Sequence, residues 1–500
     1  MLLLGIDLGT SSIKVSVVDA ATRQTLVSVS YPDAEREITV RQPGWAEQDP
    51  RQWWADVQAA ICRAHATGAY DPRAIGAVGI AYQMHGLVVV NARGEALRDA
   101  IIWCDSRAVP YGEQAFRAIG EACCLAQLLN SPGNFTAAKL AWVQEHEPAL
   151  YRQIDKIMLP GDYLALKLTG EATTSAAALS EGIFWDFAAN QVSADVLVYF
   201  GFAPGLLPPV RPVFGEHGRL RPNVAADLGL SPGIPVAYKA GDQPNNALVL
   251  GVLEPGEVAA TAGTSGVIYA VTDQRVADPL SRVNTFAHVN HRAEAPRLGV
   301  LLCLNGAGSL NRWARDTVMP GATYAAANAR AATAPVGAGG LLCLPFGNGA
   351  ERVLENRLVG AHLLGLDLNR HTAAHVLRAA QEGVAFAFRY GLDVLRETGL
   401  CPTVVKASRT NLFLSPLFAQ SFANATGLTV ALSEGDGSFG AALGAGIGVG
   451  AFRAAEAGTG RPALQLIAPD DDQAALEVIY QQWSGELQAR LAHAPASAAH

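Results

Sequence analysis

One segment of the chain occurs twice, and this repeat constrains the fold more than any other feature. Residues 9–19 read GTSSIKVSVVD and residues 263–273 read GTSGVIYAVTD, so 254 positions separate the two copies in a chain of 500. Each copy is a Gly-Thr-Ser turn that follows one strand-like run and precedes a second run rich in β-branched residues, as in a β-hairpin. A repeat at half the chain length predicts a duplicated fold in which one such hairpin opens each half.

Short strand-like runs alternate with helical stretches in both halves, a pattern that favours α/β lobes with helices packed on sheets. Asp49 and Pro50 supply an N-cap and a first-turn proline for one helix. Apolar spacing predicts a long helix over 372–398 and a final amphipathic helix over 476–491. Glycines and prolines predict an irregular crossover between the halves near 243–257, and residues 494–500 are expected to be disordered.

Composition excludes several classes of protein. Hydrophobic residues make up 50% of the chain and charged residues 16%, which excludes disorder for most of its length. The net charge is −8 with scattered basic residues, so we expect no nucleic-acid partner. The first apolar run stops at Asp7, and no run reaches the ~20 residues of a membrane helix, so we expect neither a signal peptide nor a membrane partner. Seven irregularly spaced cysteines predict no disulfide framework and a cytoplasmic location.

The first Gly-Thr-Ser turn has the residue types of a phosphate-binding turn. Its glycine lets the backbone approach a ligand, and its amides and hydroxyls suit phosphate oxygens. Asp7 precedes the turn, at a position suited to a metal ion near those phosphates, whereas the second copy has Thr261 at the equivalent place. Two facing hairpins would grip a polyphosphate while one of them supplies the carboxylate. The alternative is a pair of ordinary hairpins with turn-forming residues.

Two further segments carry residues suited to catalysis. Asp242 follows a strand-like run near the junction of the halves, where partial burial would make it a base for a substrate hydroxyl; the alternative is a turn residue. The Gln-Met-His-Gly turn, residues 83–86, places Met84 and His85 where they would line a polyol pocket. The alternative for His85 is a loop histidine, and no second ligand stands near it at zinc spacing.

A glycine motif near the C-terminus mimics a dinucleotide-binding fingerprint. Residues 435–440 read GDGSFG, after a strand-like run and before a helical one. This would indicate an oxidoreductase. Little room remains for a complete dinucleotide-binding domain, and no acidic residue ends a following strand at the usual distance, so the sequence does not favour that interpretation.

Several motifs occur in order along almost the whole chain. They are Asp-Leu-Gly-Thr at 7–10, Gln-Met-His-Gly at 83–86, Trp-Cys-Asp-Ser-Arg at 103–107, Lys-Leu-x-Trp at 139–142, Gly-Asp-Gln at 241–243, Gly-Thr-Ser at 263–265, Glu-Arg at 351–352 and Asp-Gly-Ser-x-Gly-Ala-Ala at 436–442. With these motifs the chain resembles the FGGY family of carbohydrate kinases, in the superfamily of actin and the heat-shock chaperones. The resemblance implies two ribonuclease H-like α/β lobes, residues 1–246 and 247–500, with a cleft between them.

The resemblance also implies substrates and roles. The Gln-Met-His-Gly turn resembles that of kinases acting on D-xylulose more than those acting on glycerol, ribulose or rhamnulose, which implies transfer of the ATP γ-phosphate to the 5-hydroxyl of D-xylulose. By position, Asp242 would be the general base and Asp7 the carboxylate near Mg²⁺. The implied sugar contacts are Met84, His85, Asp242 and Gln243. The implied ATP contacts are Thr10, Ser11, Gly263, Thr264, Gly308, Ala407 and Asn411.

One segment departs from the family pattern. Where two or three glycines usually approach the adenosine, residues 406–411 read KASRTN. Side chains at Ala407 and Ser408 would crowd the nucleotide if the backbone there needed positive φ, a strain of roughly 1–3 kcal/mol per residue. The open alternatives are a kinase of another ketose or polyol, such as D-ribulose, and an actin-like or chaperone-like ATPase. Members of the family are often dimers, so a homodimer is a further expectation.

Overall fold

The structure, a computed structural model, describes residues 1–457 and 463–495. The predicted disorder of residues 494–500 therefore lies, from residue 496 on, outside the described residues. The strands are β1 (Leu2–Leu8), β2 (Ile13–Asp19), β3 (Thr25–Tyr31), β4 (Glu47–Gln48), β5 (Ile75–Tyr82), β6 (Val88–Val90), β7 (Ala100–Ile101), β8 (Lys156–Met158), β9 (Trp185–Asp186), β10 (Gln191–Val192), β11 (Val236–Gly241), β12 (Val258–Ala262), β13 (Gly266–Thr272), β14 (Asn284–Ala287), β15 (Leu298–Leu304), β16 (Leu342–Phe346), β17 (Gly360–Leu364), β18 (Val404–Ser408), β19 (Thr429–Ser433) and β20 (Gln465–Ile467). The α-helices are α1 (Pro50–Ala66), α2 (Val109–Ile119), α3 (Glu121–Gln127), α4 (Thr136–His146), α5 (Pro148–Tyr151), α6 (Pro160–Thr169), α7 (Ala176–Glu181), α8 (Ala194–Phe200), α9 (Pro222–Leu228), α10 (Asp242–Val249), α11 (Ala307–Val318), α12 (Tyr324–Ala331), α13 (Ala373–Glu397), α14 (Pro416–Thr426), α15 (Gly437–Gly448), α16 (Ala454–Ala457) and α17 (Gln473–Leu491).

The first half of the chain builds a five-stranded mixed sheet in the order β11-β5-β1-β2-β3. Strands β1, β2 and β3 pair antiparallel, whereas β5 and β11 run parallel to β1 on its other side. β1 is central and nearly every residue in it is buried, which matches its almost continuous apolar sequence. Asp7 lies near the end of this strand, opposite Lys14 of β2 and Ala81 of β5.

The second half builds a seven-stranded sheet in the order β14-β15-β13-β12-β18-β19-β20. Its central strand β12 pairs antiparallel with β13 and parallel with β18, which in turn runs parallel to β19. The block β15-β13-β12-β18-β19 thus repeats the order and directions of β3-β2-β1-β5-β11. The duplication seen in residues 9–19 and 263–273 extends to both sheets, and the predicted two-lobe α/β fold is confirmed.

Helix α15 comes from the second half of the chain but packs on the sheet of the first half. A Cβ atom at Gly5 of β1 would lie 1.9 Å from the Ser438 carbonyl oxygen, and one at Gly79 of β5 would lie 1.9 Å from that of Ala441. These glycines let the helix backbone rest directly on the strands. The halves therefore interlock, and the division at residues 246 and 247 stays a prediction.

The helices predicted from the sequence are confirmed, with small shifts at the helix ends. Helix α1 follows Asp49, whose side chain accepts a hydrogen bond from the Arg51 amide. Helices α13 and α17 lie where apolar periodicity predicts them. The prediction of an irregular crossover over 243–257 is wrong for the first part of that range, because residues 242–249 form helix α10. Pro244 lies in its first turn, where no intrahelical amide bond is needed.

A shared core joins the two halves beside the cleft. Apolar residues of α4 and α7 pack in one cluster with those of β13, β14 and β15. Asn130 fastens the same region, because its amide nitrogen donates to the Thr285 carbonyl at 2.7 Å and its oxygen accepts from the Thr285 amide at 3.0 Å. Over the described residues, no helix has the length and apolar character needed to cross a membrane.

Candidate active site

The turn of the first hairpin is held against the Gln-Met-His-Gly turn. The Thr10 hydroxyl donates to Gln83 Oε1 at 3.3 Å and accepts from the Trp103 indole nitrogen at 3.0 Å. Gln48 Nε2 donates to the Thr10 carbonyl at 2.7 Å, and the Ser11 carbonyl accepts from the Arg36 amide at 2.8 Å. The turn is therefore a fixed element whose position is coupled to the segment that carries Met84 and His85.

The turn of the second hairpin borders a cavity of about 160 Å³ in the C-terminal lobe. Backbone bonds from the Gly308 amide to the Gly263 carbonyl, 2.9 Å, and from the Ser309 amide to the Thr264 carbonyl, 3.1 Å, fix the turn against the start of α11. Residues around the cavity include Gly263, Thr264, Gly308, Tyr324, Asn328 and Asn411. Four of the seven predicted ATP contacts thus surround one cavity. Thr10 and Ser11 lie on the other lobe, and Ala407 does not line it.

The backbone at residues 407 and 408 does not adopt the positive φ on which the expected crowding of the nucleotide depends. Both residues lie in β18, where Ala407 pairs with Ala260 of β12 and with Leu432 of β19. A strand hydrogen-bonded on both sides keeps extended backbone angles, so no positive φ is needed there, and the methyl group of Ala407 is buried in the core. The left-handed position falls instead at Asn411, with φ of 53°, a residue type that tolerates it.

Three carboxylates lie close enough for the charges of two of them to act on the third. Asp242 is the first residue of α10, Asp7 lies on β1, and Asp436 is the N-cap of α15. Burial, together with the charges of Asp242 and Asp436 and opposed by that of Lys14, raises the pKa of Asp7 to about 7. Burial also raises the pKa of Asp242 to about 6, although the Gln243 side-chain amide donates to its Oδ2 at 3.1 Å. Burial raises the pKa of Cys303 on β15, and the negative charge of Asp242 adds to the rise.

These carboxylates fit a magnesium ion held jointly with phosphate oxygens. Among the described residues no three metal-ligating side chains converge on one point, so these residues offer no complete metal cage. Mg²⁺ usually takes one or two carboxylates and completes its shell with water and substrate phosphates. The raised pKa of Asp7, caused by burial and by the neighbouring charge of Asp242, marks a place where a cation would relieve repulsion.

The glycines of residues 435–440 serve packing in this structure. A Cβ at Gly437 would lie 2.3 Å from Asp7 Oδ2, and one at Gly440 would lie 2.4 Å from Val249 Cγ2. Their spacing lets the start of α15 approach the carboxylate of β1 and the side chains of α10. The motif that mimics a dinucleotide fingerprint therefore brings the first residues of α15 next to Asp7.

The Gln-Met-His-Gly turn lies beside Asp242. A Cβ at Gly241, the residue before Asp242, would lie 2.6 Å from Met84 Cγ. His85 has a left-handed backbone, with φ of 62°, and its ring packs edge-on against Phe135 at 4.9 Å and against Phe286 at 5.2 Å between centroids. The structure thus brings Met84 close to the residue before the predicted base, and it surrounds the His85 ring with aromatic side chains.

Sequence reasoning missed Glu181, a buried carboxyl group in the same place. It ends α7, its Oε1 accepts from the Tyr82 hydroxyl at 2.7 Å, and its Oε2 lies 3.4 Å from the position of a Cβ at Gly241. Burial raises its pKa well above the usual range, and the charge of Asp242 adds to the effect. The one signal in the sequence was a single glutamate within the apolar run of residues 176–185.

Arg352 is a second residue for which the sequence analysis predicted no role. Its guanidinium lies over the Phe135 ring, 5.9 Å from the centroid, and its charge contributes to lowering the pKa of His85. Among the described residues no carboxylate lies within 4.0 Å of it. Its neighbour Glu351 is buried, accepts the Asn305 amide at 2.9 Å, and so braces the chain just before α11.

Comparison with known proteins gives consistent matches over the chain. Residues 2–249 match the N-terminal domain, and residues 258–449 the C-terminal domain, of the FGGY family of carbohydrate kinases. The xylulose kinase of Klebsiella pneumoniae is 32% identical over 448 residues, which cover 88% of each chain. That of Streptomyces rubiginosus is 34% identical and covers 80% of this chain and 78% of its own. The crystal structure of the Rhodospirillum rubrum xylulose kinase superposes with a TM-score of 0.86 at 27% identity, covering 98% and 99% of the two chains.

Proposed function

The chain belongs to the FGGY family of carbohydrate kinases, and from that premise we propose that it transfers the γ-phosphoryl group of ATP to the 5-hydroxyl of D-xylulose. It is an enzyme that phosphorylates a sugar; the proposal concerns which sugar, and which residues act. The observation that carries it is the position of Asp242, a half-buried carboxylate at the start of α10 with Asp7 and the Gln-Met-His-Gly turn nearby. D-ribulose and related polyols are the alternative substrates.

In this proposal Asp242 is the general base. Phosphoryl transfer passes through a loose transition state, so the protein mainly aligns donor and acceptor and balances charge. Asp242 orients the attacking hydroxyl and takes its proton as the bond to phosphorus forms, and its pKa of about 6 leaves it ionised at neutral pH yet basic enough to accept that proton. Met84, His85 and Gln243 hold the sugar.

The nucleotide is assigned to the cavity beside the second hairpin. Gly263, Thr264, Gly308 and Asn411 bind ATP there, and Thr10 and Ser11 approach its phosphates from the other lobe. Asp7 would hold the Mg²⁺ that accompanies ATP. Bound Mg²⁺ supplies charge neutralisation on the phosphate oxygens. Ala407 is assigned as an ATP contact through its backbone alone, because its side chain is buried in the core.

The rival function is an ATPase that uses nucleotide to drive a conformational change. Such a protein needs paired hairpins but no base beside a pocket for a small acceptor. The closeness of Gly241 to Met84 favours a sugar kinase, because it places the residue before Asp242 at the predicted sugar contacts. Sugar-dependent release of ADP from ATP separates the two functions.

The test is a coupled ADP assay over a panel of ketopentoses and polyols, with wild type and two variants. Asp242→Asn should lower kcat for sugar phosphorylation roughly 10²- to 10⁴-fold while ADP binding, followed by calorimetry, is retained. Asp273→Asn is the matched control, because Asp273 is exposed and also accepts a hydrogen bond from the next residue, Gln274, at 2.9 Å. Normal turnover in Asp242→Asn, or ADP release that no sugar accelerates, would contradict the proposal.

A cytoplasmic location and a homodimer remain predictions that accompany this proposal. The basis for the location is the cysteine pattern, and all seven cysteines have free thiols in the structure, including the exposed Cys62, Cys104 and Cys401. Sedimentation of the purified chain tests the homodimer.

A further inference from the structure

His85 is held in one orientation by contacts on every side of its backbone. Its φ of 62° is costly for a residue with a Cβ, so surrounding groups must fix it. The backbone amide donates to Glu181 Oε2 at 3.3 Å, and the backbone carbonyl accepts from Lys139 Nζ at 2.8 Å. The rings of Phe135 and Phe286 pack on the imidazole from two directions. The imidazole is therefore preorganised before a substrate arrives.

The same contacts determine which ring nitrogen carries the proton. His85 Nδ1 lies 3.0 Å from the backbone carbonyl oxygen of Glu181, and a carbonyl oxygen can only accept, so Nδ1 must donate. Burial, with the nearby charges of Lys139 and Arg352, lowers the pKa of His85 to about 3, so the ring is neutral and holds one proton. Nε2 then presents a lone pair, and it has no hydrogen-bond partner within the described part of the chain.

Glu181 supplies both contacts that set this arrangement. Its main-chain carbonyl selects the tautomer, and its side chain holds the His85 amide. The side chain is itself fixed, because it is 3% exposed and its other oxygen accepts from the Tyr82 hydroxyl at 2.7 Å. In the described part of the chain, no lysine or arginine nitrogen lies within 4.0 Å of the Glu181 carboxyl group. Its two oxygens therefore accept from the Tyr82 hydroxyl and the His85 amide without competition from a cation.

We propose that Glu181 is a positioning residue that holds His85 so that Nε2 accepts a hydrogen bond from one hydroxyl of the sugar. The inference rests on the proposed function, which makes His85 a sugar contact. The inference adds the direction of the hydrogen bond: a hydroxyl of the substrate donates and His85 Nε2 accepts. A site built to bond a substrate hydroxyl discriminates strongly against an analogue without one, because the buried acceptor is then left unpaired.

Fluorinated sugars test the direction of the bond, because a C–F group cannot donate. We would measure kcat/KM for the best ketopentose and for its deoxy and deoxyfluoro analogues at carbons 1, 3 and 4. At one position we expect both analogues to lose about 10²-fold or more, with fluorine no better than hydrogen. An analogue set in which fluorine restores activity at every sensitive position would overturn the proposal, because the protein would then be the donor.

A pair of His85 variants assigns that position. His85→Asn keeps a residue type that accepts positive φ and an amide that can reach the Glu181 carbonyl, but it has no atom at the place of Nε2. His85→Gln retains an amide group near that place. We expect the discrimination at the sensitive carbon to fall below about tenfold in His85→Asn and to persist in part in His85→Gln. Unchanged discrimination in both variants would show that a group other than His85 bonds the hydroxyl, and it would overturn the proposal.

Variants of Glu181 test the positioning role itself. Glu181→Gln keeps an oxygen that can accept the His85 amide, and we expect kcat/KM within about fivefold of wild type. Glu181→Leu removes that acceptor, and we expect KM for the sugar to rise roughly 10- to 100-fold with KM for ATP unchanged and the fluorine pattern lost. A folded Glu181→Leu protein with wild-type sugar KM and an unchanged fluorine pattern would refute the role.

One measurement does not depend on activity, and His85→Asn is the only variant that it needs in folded form. Nitrogen-15 NMR of histidine-labelled wild-type protein, assigned by difference from His85→Asn, reports whether Nδ1 or Nε2 carries the proton. A protonated Nδ1 supports the inference, and a protonated Nε2 overturns it. If wild type phosphorylates no ketose, the proposed function fails, while the tautomer still decides whether the structural part of the inference stands.

Discussion

Replacing Asp242 with asparagine should destroy activity and increase stability at the same time. Burial raises the pKa of this carboxyl from 3.8 to about 6, so the folded protein at pH 7 holds a charge that the unfolded chain would hold more easily. At about 1.4 kcal/mol per pKa unit, the charge costs up to about 3 kcal/mol of folding free energy. Asparagine removes the charge and keeps an oxygen for the Gln243 amide.

The sign of the pH dependence follows from the raised pKa. Above about pH 6 the wild type carries the full penalty, and as the pH falls from 6 toward 3.8 the folded state takes up its proton and the penalty disappears. The variant has no such group, so its stability advantage should be largest at neutral pH and vanish below 3.8. The kcat/KM of wild type should fall about tenfold per pH unit below 6, because the base is then protonated.

The assay is thermal unfolding of wild type, Asp242→Asn and the exposed control Asp273→Asn between pH 7.5 and 4, without nucleotide or magnesium. We expect Asp242→Asn to unfold at the highest temperature at pH 7.5 and to converge with wild type at pH 4, with a kcat reduced by roughly 10²- to 10⁴-fold. A variant less stable than wild type at pH 7.5, or a stability difference independent of pH, would refute the reasoning.

Three other substitutions test the packing. Gly79→Ala should lower the unfolding free energy, measured in urea, by at least about 3 kcal/mol or prevent folding, because its methyl group would lie 1.9 Å from a carbonyl oxygen of α15. Gly205→Ala is the control: its methyl group would have no atom within 4 Å, so the unfolding free energy should change by less than about 0.5 kcal/mol. Arg107→Met should lower the unfolding free energy by roughly 3–5 kcal/mol, because the buried carboxylate of Asp105 loses its guanidinium partner while Glu47 keeps Arg41 and Arg98; a smaller effect would mean that the Ala46 amide is enough to compensate Asp105. Ala407→Gly should lower stability by about 1 kcal/mol without tightening ADP binding measured by calorimetry, and a tighter complex would restore the crowding hypothesis.

The sequence allowed the duplicated architecture to be predicted because the repeat falls on hairpins. Strands that pair with their neighbours in sequence leave a local signature, and the Gly-Thr-Ser turns carry it in both halves. The long helix α13 and the turn at His85 were predictable for the same reason, since periodicity and turn residues are local features. The assignment of Asp242 depended on its place after a strand, where α/β folds gather functional groups.

The parts that could not be predicted depend on contacts between distant segments. Glu181 carries no local pattern, and its meaning comes from burial beside a turn almost one hundred residues away. The glycines at 435–440 have the spacing of a dinucleotide site because close backbone packing makes the same demand for small residues. The backbone conformation of Ala407 depends on the two strands that pair with β18. The presence of alanine where the family pattern has glycine therefore did not show whether φ is positive at this residue.

The crossing of α15 onto the first sheet has a consequence for biosynthesis. The first sheet is complete once β11 has been made, and it remains without this covering helix until roughly 200 further residues have been translated, which at about 5–20 residues per second takes some 10–40 s. During that interval the nascent chain exposes an apolar sheet face on the ribosome, where chaperones would be needed to prevent aggregation. For the same reason, genes that encode the two halves separately should yield insoluble fragments unless both are produced together.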